Sequence, residues 1–238
     1  MECVVLTLPI REVLPATSRA SIVRIDLDGQ RFPFLAGQAL TIATHGYDGR
    51  RPYSLASAPA DALADGYLEL LVGLLPDGTP GPHLQLTPGT LVDIEGPLGR
   101  FTFPDDVEAV PLESRFLFVA GGTGIAPLRS MYRDALARGY RHLGVLYSAR
   151  TPDDFAYESE LTSLADQGAL EVALTVTRDS DADWRGARGR ISTDHFAGLL
   201  HGKDTMCFVC GPRSMVDDIP RALMALGVAA EQIRIEEW

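Results

Sequence analysis

The sequence predicts an antiparallel β-barrel domain followed by an α/β domain that is built on a parallel sheet. Short apolar segments separated by Asp-Gly and Pro-Gly turns fill the chain up to residue 103. The next stretch, residues 104–114, is acidic and contains two prolines, which is typical of a linker. After it, strand and helix patterns alternate, and this implies right-handed crossovers. We therefore expect two domains, over residues 1–106 and residues 107–238.

The individual elements follow from the periodicity of apolar residues. In the first half, strands are expected at residues 20–27, 38–43, 53–56, 67–71 and 91–95, a spacing typical of a small barrel or sandwich. In the second half, strands are expected at residues 115–120, 143–147, 170–176, 206–210 and 232–235. Helices are expected between them, at residues 128–138, 157–167, 193–200 and 214–226.

Composition excludes several classes of function. The chain of 238 residues has 32 acidic and 21 basic residues, a net charge of −11, which argues against nucleic-acid binding. No apolar run approaches the ~18 residues of a membrane span, and no basic segment precedes an apolar one at the start. We therefore expect a cytoplasmic protein without a membrane span.

Cysteine and histidine usage argues against a metal centre. Three cysteines, Cys3, Cys207 and Cys210, are too few for an iron–sulfur cluster held by four thiolates. Cys207 and Cys210 lie three apart on a predicted strand, so they point to opposite faces. The five histidines show no ligand spacing, and we expect no metal site.

A glycine-rich loop follows the first strand of the second half. It reads Gly121-Gly122-Thr123-Gly124-Ile125-Ala126-Pro127 and leads into a predicted helix. Glycines let the backbone approach an anion, and the helix N-terminus directs unpaired N–H groups at it. Pro127 suits the first helical turn. A phosphate site is expected here, and a tight turn without a ligand is the alternative.

The second predicted strand of this half is followed by an arginine instead of the acidic residue that marks NAD-specific folds. Arg150 stands at that place, and Arg178 and Arg190 lie beyond the third strand. An arginine in this position can bind a 2′-phosphate, which favours NADPH over NADH. Three solvated surface arginines are the alternative.

A third motif lies in the barrel half. Arg51-Pro52-Tyr53-Ser54 begins a predicted strand. The arginine can clamp a phosphate, the tyrosine ring can stack, and the hydroxyl lies beside it, which suits a planar anionic cofactor. A plain edge strand explains the same residues.

Taken together, these motifs resemble those of the ferredoxin–NADP reductase-like flavin oxidoreductases. The resemblance rests on Arg51-Pro52-Tyr53-Ser54, Gly96-Pro97-Leu98-Gly99-Arg100-Phe101, the loop from Gly121 to Pro127, and Cys210-Gly211-Pro212, in the family's order. It covers essentially the whole chain. It implies a barrel that binds a flavin, a nucleotide domain that binds NAD(P)H, and hydride transfer where the two meet.

The resemblance assigns roles to individual residues. Arg51 would bind a flavin phosphate, Tyr53 would stack on the isoalloxazine, and Ser54 would approach flavin N5. Gly121, Gly122, Thr123 and Gly124 would hold the coenzyme pyrophosphate. Cys210 would line the nicotinamide pocket, and the aromatic residue Trp238 would cover the flavin.

One loop departs from the family pattern. In the family, a glycine is followed by a serine or threonine and then a leucine; here the segment reads Gly78-Thr79-Pro80-Gly81-Pro82-His83-Leu84. Gly81 stands where the hydroxyl is expected, and either Thr79 or backbone groups at Gly81 and His83 could replace it. The AMP half of the flavin is therefore less well supported: FAD is expected, and FMN remains open.

The implied function is electron transfer from NAD(P)H through FAD to a separate acceptor, such as ferredoxin, flavodoxin, an oxygenase component or a small molecule. The alternative is a docking or electron-transfer subunit of a larger multicomponent complex. A nucleotide-binding module without redox chemistry is a third hypothesis, in case the Arg51 motif is an ordinary strand.

Overall fold

The structure, a computed structural model, describes residues 4–105, 110–178 and 183–237. The chain forms two compact units. The first contains the described residues up to Asp105 together with Arg129–Asp134, and the second contains the remaining described residues.

The first unit is a six-stranded antiparallel barrel. In chain order its elements are β1 (Val4–Thr17), β2 (Ala20–Asp26), β3 (Ala39–Thr44), β4 (Arg51–Ser54), α1 (Pro59–Asp65), β5 (Tyr67–Gly73) and β6 (Leu91–Leu98). The strand order is β4-β3-β6-β1-β2-β5. Just after β4, Leu55 forms an antiparallel bridge to Leu70 of β5, and the Ala56 N–H donates to the Glu69 carbonyl at 2.8 Å. The two edge strands therefore meet, and the sheet closes.

The barrel interior follows from the period of two along its strands. Alternate apolar residues of β2, β3, β5 and β6 point inward, since successive side chains of a strand face opposite sides. The fully buried members of this core are Val23, Ile25, Leu40, Ile42, Leu55, Leu68, Leu70, Val72, Val92 and Ile94. The predicted antiparallel β domain is confirmed, and it is a barrel.

The second unit contains a parallel sheet. The elements after residue 110 are β7 (Arg115–Gly121), α2 (Ile125–Ala137), β8 (His142–Ala149), α3 (Glu158–Asp166), β9 (Glu171–Val176), β10 (Ala187–Arg188), β11 (Met206–Gly211), α4 (Arg213–Ala225) and β12 (Ile233–Glu237). The strand order is β10-β9-β8-β7-β11-β12, and every pair is parallel. The carboxyl ends of all six strands therefore share one edge of the sheet, where ligands bind in such folds.

Both faces of this sheet are covered. On one face, Leu117 and Val209 pack with Val216, Ile219 and Leu223 of α4. The neighbouring residues along the strands point the other way, and there Phe118 stacks on Phe208 with ring centroids 5.6 Å apart. Because both faces are covered, these strands have no polar side, and their sequences are nearly continuous runs of apolar residues.

The expected helix at residues 193–200 is wrong. The structure has a single 3-10 turn, Thr193–Phe196, in which Ser192 and His195 form a capping box. Ala197 is already extended, with ψ of 125°, and Gly198 has a φ of +84°. A positive φ ends a helix, so the segment stops after one turn. The sequence patterns also miss helix α1 and the two-residue strand β10.

None of the helices in the described part of the chain is both long enough and apolar enough to cross a bilayer.

Candidate functional site

Strand β4 and the loop after β5 bring together two aromatic rings that lie 30 residues apart in the chain. The Tyr53 hydroxyl lies 2.9 Å from Nε2 of His83, and the rings are nearly parallel, 12° apart, with centroids separated by 5.9 Å. Tyr53 also packs against the barrel core. His83 is 1% exposed. The sequence analysis assigned no side-chain role to His83; its only signal was its place two residues after Gly81.

The protonation states of this pair follow from its surroundings. Burial raises the pKa of Tyr53, against a smaller lowering by the Arg51 charge. Burial lowers the pKa of His83, and the Arg51 charge lowers it further. At pH 7 the phenol therefore keeps its proton, and the imidazole is neutral.

Arg51 begins β4 and has an exposed side chain. Among the described residues, its guanidinium has no hydrogen-bond or ion-pair partner. Its neighbour Arg50 differs, because Arg50 pairs with Glu95 at 2.8 Å. The structure thus leaves one of two adjacent arginines available for an anion. Pro52 is exposed, and Ser54, at the end of the strand, is half-buried.

The loop of residues 78–84 contains the other predicted residues of the barrel site. Gly81 has a φ of +100°, a conformation that strains any residue with a Cβ. Thr79 is not a free donor, because its hydroxyl and its N–H both donate to Oδ1 of Asp77, at 2.8 and 2.9 Å. These bonds lower the pKa of Asp77, the backbone bond most. Gly78 is exposed at the start of the loop.

In the second unit, the predicted glycine loop lies at the carboxyl edge of the sheet. Gly121 ends β7, Gly122–Gly124 form a 3-10 turn, and α2 follows with Pro127 in its first turn. The buried Tyr147 of β8 holds this loop: its hydroxyl donates to the Gly122 carbonyl at 3.0 Å and accepts from the Ala156 N–H at 3.3 Å. Burial raises the pKa of Tyr147, so the phenol remains a donor. The sequence analysis missed this residue.

Two of the predicted glycines lie at adjacent strand ends and pack closely against the side chain of Met215. A Cβ on Gly121 would lie 2.7 Å from Sδ of Met215 and 3.0 Å from Cδ of Pro212. A Cβ on Gly211 would lie 2.9 Å from the same sulfur. A side chain at either position would therefore displace the Met215 side chain, which packs against both strand ends.

Cys210 lies at the end of β11 and is 1% exposed. Its Sγ is 4.0 Å from Oε2 of Glu236 on the adjacent strand β12. Burial, and then the Glu236 charge, raise the pKa of this thiol well above its usual range. The thiol is therefore a small neutral group at the sheet edge and not a nucleophile.

The three predicted arginines follow strands β8, β9 and β10. The Arg178 N–H donates to the Arg150 carbonyl at 2.8 Å, so these two backbones are adjacent. Arg190 lies two residues beyond Arg188, which pairs with Val176 at the end of β9. All three side chains are exposed. The structure brings the predicted arginines to the carboxyl edge of one side of the sheet. Trp238 lies outside the described residues.

Within the described ranges, no group of three or more His, Cys, Asp and Glu side chains is arranged to hold a metal ion.

Comparison with known proteins matches each half of the chain to a family. Residues 7–103 match the family model of the oxidoreductase FAD-binding domain, and residues 118–221 match that of the oxidoreductase NAD-binding domain. Ferredoxin–NADP reductase B of Sorangium cellulosum is 33% identical over 243 residues, which cover 96% of this chain and 94% of that protein. The reductase component DmpP of phenol 2-monooxygenase, from a Pseudomonas species, is also 33% identical, over 85% of this chain and 56% of its own length.

Two solved structures show the same fold as this chain. The Amycolatopsis cytochrome P450 reductase GcoB matches with a TM-score of 0.85 and 26% identity, over 99% of this chain and 70% of its own. A ferredoxin–NADP reductase of Neisseria gonorrhoeae shares the fold, with a TM-score of 0.79 and 20% identity over 98% of each chain. Both likenesses span nearly the whole of this chain. The chain belongs to the ferredoxin–NADP reductase-like flavin oxidoreductases, with an FAD-binding barrel followed by an NAD-binding α/β domain.

Proposed function

We propose that this oxidoreductase takes a hydride from NAD(P)H onto FAD and passes the electrons to a separate acceptor. The observation that carries the proposal is that one chain combines an FAD-binding domain, with an exposed arginine at the start of β4, and an NAD-binding domain, with a glycine loop at the carboxyl edge of its sheet. A bound flavin supplies the redox chemistry, because it accepts two electrons at once and releases them singly. The protein supplies binding and orientation.

The residues of the barrel fit a flavin phosphate. The exposed guanidinium of Arg51 is unpaired among the described residues, and Nδ1 of His83 is buried without a hydrogen-bond partner there. A cationic fork and an unused buried polar atom are the groups that a phosphate would satisfy. In this proposal Arg51 binds the phosphate, Tyr53 stacks on the isoalloxazine ring, and Ser54 lies near its N5. Pro52, Gly78, Thr79 and Gly81 form the surrounding backbone.

The sheet edge fits the nicotinamide coenzyme. Gly121, Gly122, Thr123 and Gly124 place backbone N–H groups at the start of α2, where a pyrophosphate binds favourably. Pro127 follows in the first turn of α2, where its missing N–H matters little. Cys210 and Gly211 would line the pocket beside the nicotinamide. The neutral thiol of Cys210 suits this place, since it adds no negative charge of its own. Trp238 is proposed to cover the flavin.

Arg150, Arg178 and Arg190 are proposed to bind the coenzyme's 2′-phosphate and so to favour NADPH. The support is their common position beyond the carboxyl ends of neighbouring strands, with Arg150 and Arg178 joined by a backbone hydrogen bond. A guanidinium binds a phosphate through two parallel bonds, and it has no comparable partner on the bare ribose of NADH.

The electron acceptor is proposed to be a ferredoxin, a flavodoxin, an oxygenase component or a small molecule. Three cysteines cannot bind a cluster through four thiolates, so the sequence holds no such centre to receive the electrons. A second candidate function is that of a subunit in a multicomponent oxygenase or dehydrogenase complex. The match to a reductase component, of which this chain spans 56%, favours it.

The visible absorption of flavin in the purified protein tests the proposal. We expect a yellow protein whose absorption bleaches when NADPH or NADH is added without air, and returns when an artificial acceptor is added. Colourless protein that FAD does not reconstitute would overturn the proposal. Full turnover by the isolated chain with a soluble acceptor supports the independent reductase, and co-purification with a cluster-bearing partner at equal stoichiometry supports the subunit.

A further inference from the structure

The loop that should bind a flavin phosphate lacks the hydroxyl that the family pattern provides. Gly81 stands at that place and has no side chain, and its φ of +100° strains any residue that has one. The nearby hydroxyl of Thr79 is occupied, because it donates its proton to Asp77 at 2.8 Å. The loop itself therefore offers no free side-chain hydroxyl donor at Thr79 or Gly81.

His83 fills the space beside Gly81. A Cβ built on Gly81 would have Nδ1 of His83 as its nearest neighbour, at 3.6 Å. The imidazole is 1% exposed, and among the described residues its Nδ1 has no hydrogen-bond partner. A buried polar atom without a partner costs free energy unless a ligand or an ordered water satisfies it.

We propose that the Nδ1–H of His83 donates a hydrogen bond to a phosphate of the bound flavin and so replaces the missing loop hydroxyl. This inference rests on the proposed function, because it assumes that the barrel binds a flavin. The phosphate is common to FMN and FAD, so the inference concerns this group and not the AMP half of the cofactor.

The hydrogen bond to Tyr53 is compatible with a proton on Nδ1 of His83, as the proposal requires. The Tyr53 hydroxyl lies 2.9 Å from Nε2, and it can donate to that nitrogen only if Nε2 is unprotonated. The neutral imidazole then carries its proton on Nδ1. With a phosphate oxygen as acceptor, this tautomer satisfies both ring nitrogens. With the proton on Nε2, the Tyr53 hydroxyl would accept it, but Nδ1 and the phosphate oxygen would then be two acceptors facing each other.

The charged and titratable groups around His83 agree with this arrangement. Tyr53 stacks on the imidazole, and the charge of Arg51 acts on both rings. An anion bound by Arg51 would pair with its positive charge, and the neutral N–H of His83 would add a hydrogen bond. In this arrangement Arg51 contributes the positive charge, and the N–H of His83 contributes a hydrogen bond with a defined direction.

Flavin titrations of two His83 variants test the inference. Dissociation constants for FAD, FMN and riboflavin, which lacks the phosphate, are measured by flavin fluorescence. His83→Phe keeps the ring that stacks on Tyr53 and removes both nitrogens, so binding of FAD and FMN should weaken about tenfold or more, and riboflavin binding should stay within about twofold. His83→Asn places an amide donor near the Nδ1 position and should recover much of the loss. His142→Asn, an exposed histidine of the second unit, is the control and should change nothing.

Each result has one meaning. If wild-type protein binds neither FAD nor FMN, the proposed function fails. If wild type binds them and His83→Phe weakens riboflavin as much as FMN, the imidazole only supports the fold and this inference is overturned. If the variant does not fold, as judged by circular dichroism, ¹⁵N NMR of the wild-type imidazole decides. The inference expects a protonated Nδ1 whose resonance shifts on addition of FMN but not of riboflavin, and a protonated Nε2 in the FMN complex would refute it.

Discussion

The carboxylate of Glu69 lies 2.9 Å from the guanidinium of Arg129, and both side chains are buried within the first unit. The same Nη1 of Arg129 donates to the Ala56 carbonyl at 2.8 Å, and the second oxygen of Glu69 accepts from Arg24 at 2.8 Å. Glu69 is on β5 and Arg129 is on α2, 60 residues later. This pair explains why Arg129–Asp134 belongs to the first unit although all described residues after Asp134 belong to the second.

Replacing Arg129 should destabilise the first unit strongly. In Arg129→Met, the buried Glu69 carboxylate loses the partner on one oxygen, and breaking a buried pair from one side costs about 3–5 kcal/mol. Arg133→Met is the matched control on the same helix, because its pair with Asp61 is about one third exposed, at 33% and 31%. There we expect a loss of about 1 kcal/mol or less. Urea unfolding followed by circular dichroism measures both, and equal losses would contradict the prediction.

Arg51→Ala should lower flavin affinity. It removes a charge-assisted contact to a phosphate, commonly about 1.5–3 kcal/mol, so the purified variant should lose flavin when it is diluted. Arg50→Ala is the control, since Arg50 pairs with Glu95 at 2.8 Å and is not assigned to the cofactor. Flavin content that stays at the wild-type level at low protein concentration would count against the assignment. A failure to fold would instead indicate a structural arginine.

Replacing Arg150 and Arg178 with alanine should weaken the binding of NADPH much more than that of NADH. We expect KM for NADPH to rise roughly tenfold or more and KM for NADH to change little, because only NADPH has the 2′-phosphate that these side chains would bind. Steady-state rates with an artificial acceptor measure both constants. Arg141→Ala is the control: this exposed residue lies just before β8, at the opposite end of the strand from Arg150. A wild-type preference for NADH would show that the arginines are merely solvated.

The thiols of Cys207 and Cys210 should be inert in the folded protein. Burial raises the pKa of Cys207 to about 12, and burial and Glu236 raise that of Cys210 well above its usual range. A raised pKa leaves almost no thiolate at pH 8, and the thiolate is the form that reacts with iodoacetamide. In a Cys3→Ser variant, mass spectrometry should find both cysteines unmodified without denaturant and modified in urea. Rapid modification of Cys210 in native buffer would show that it is an activated thiol.

Much of the fold could be predicted from properties of residues that are close together in the sequence. Alternating apolar residues between Asp-Gly and Pro-Gly turns identify the barrel strands, since a period of two and a turn are properties of neighbouring residues. The apolar run that forms β7 and the glycine loop before α2 can likewise be recognised from neighbouring residues alone. The prediction failed where local hydrogen bonds favour a single turn over a helix. Ser192 and His195 form a capping box around one 3-10 turn, and the expected helix at residues 193–200 does not form.

The sequence by itself determined the two-domain class, the strands and most helices, and the residue types available for phosphate and coenzyme. Only the tertiary structure decided which of these residues meet. Leu55 reaches Leu70 to close the barrel, the Tyr53 hydroxyl reaches His83, and Tyr147 holds the carbonyl of Gly122. Periodicity and turn propensity are set by residues a few positions apart. Contacts between residues tens of positions apart depend instead on strand order and register, which the burial of the whole core selects.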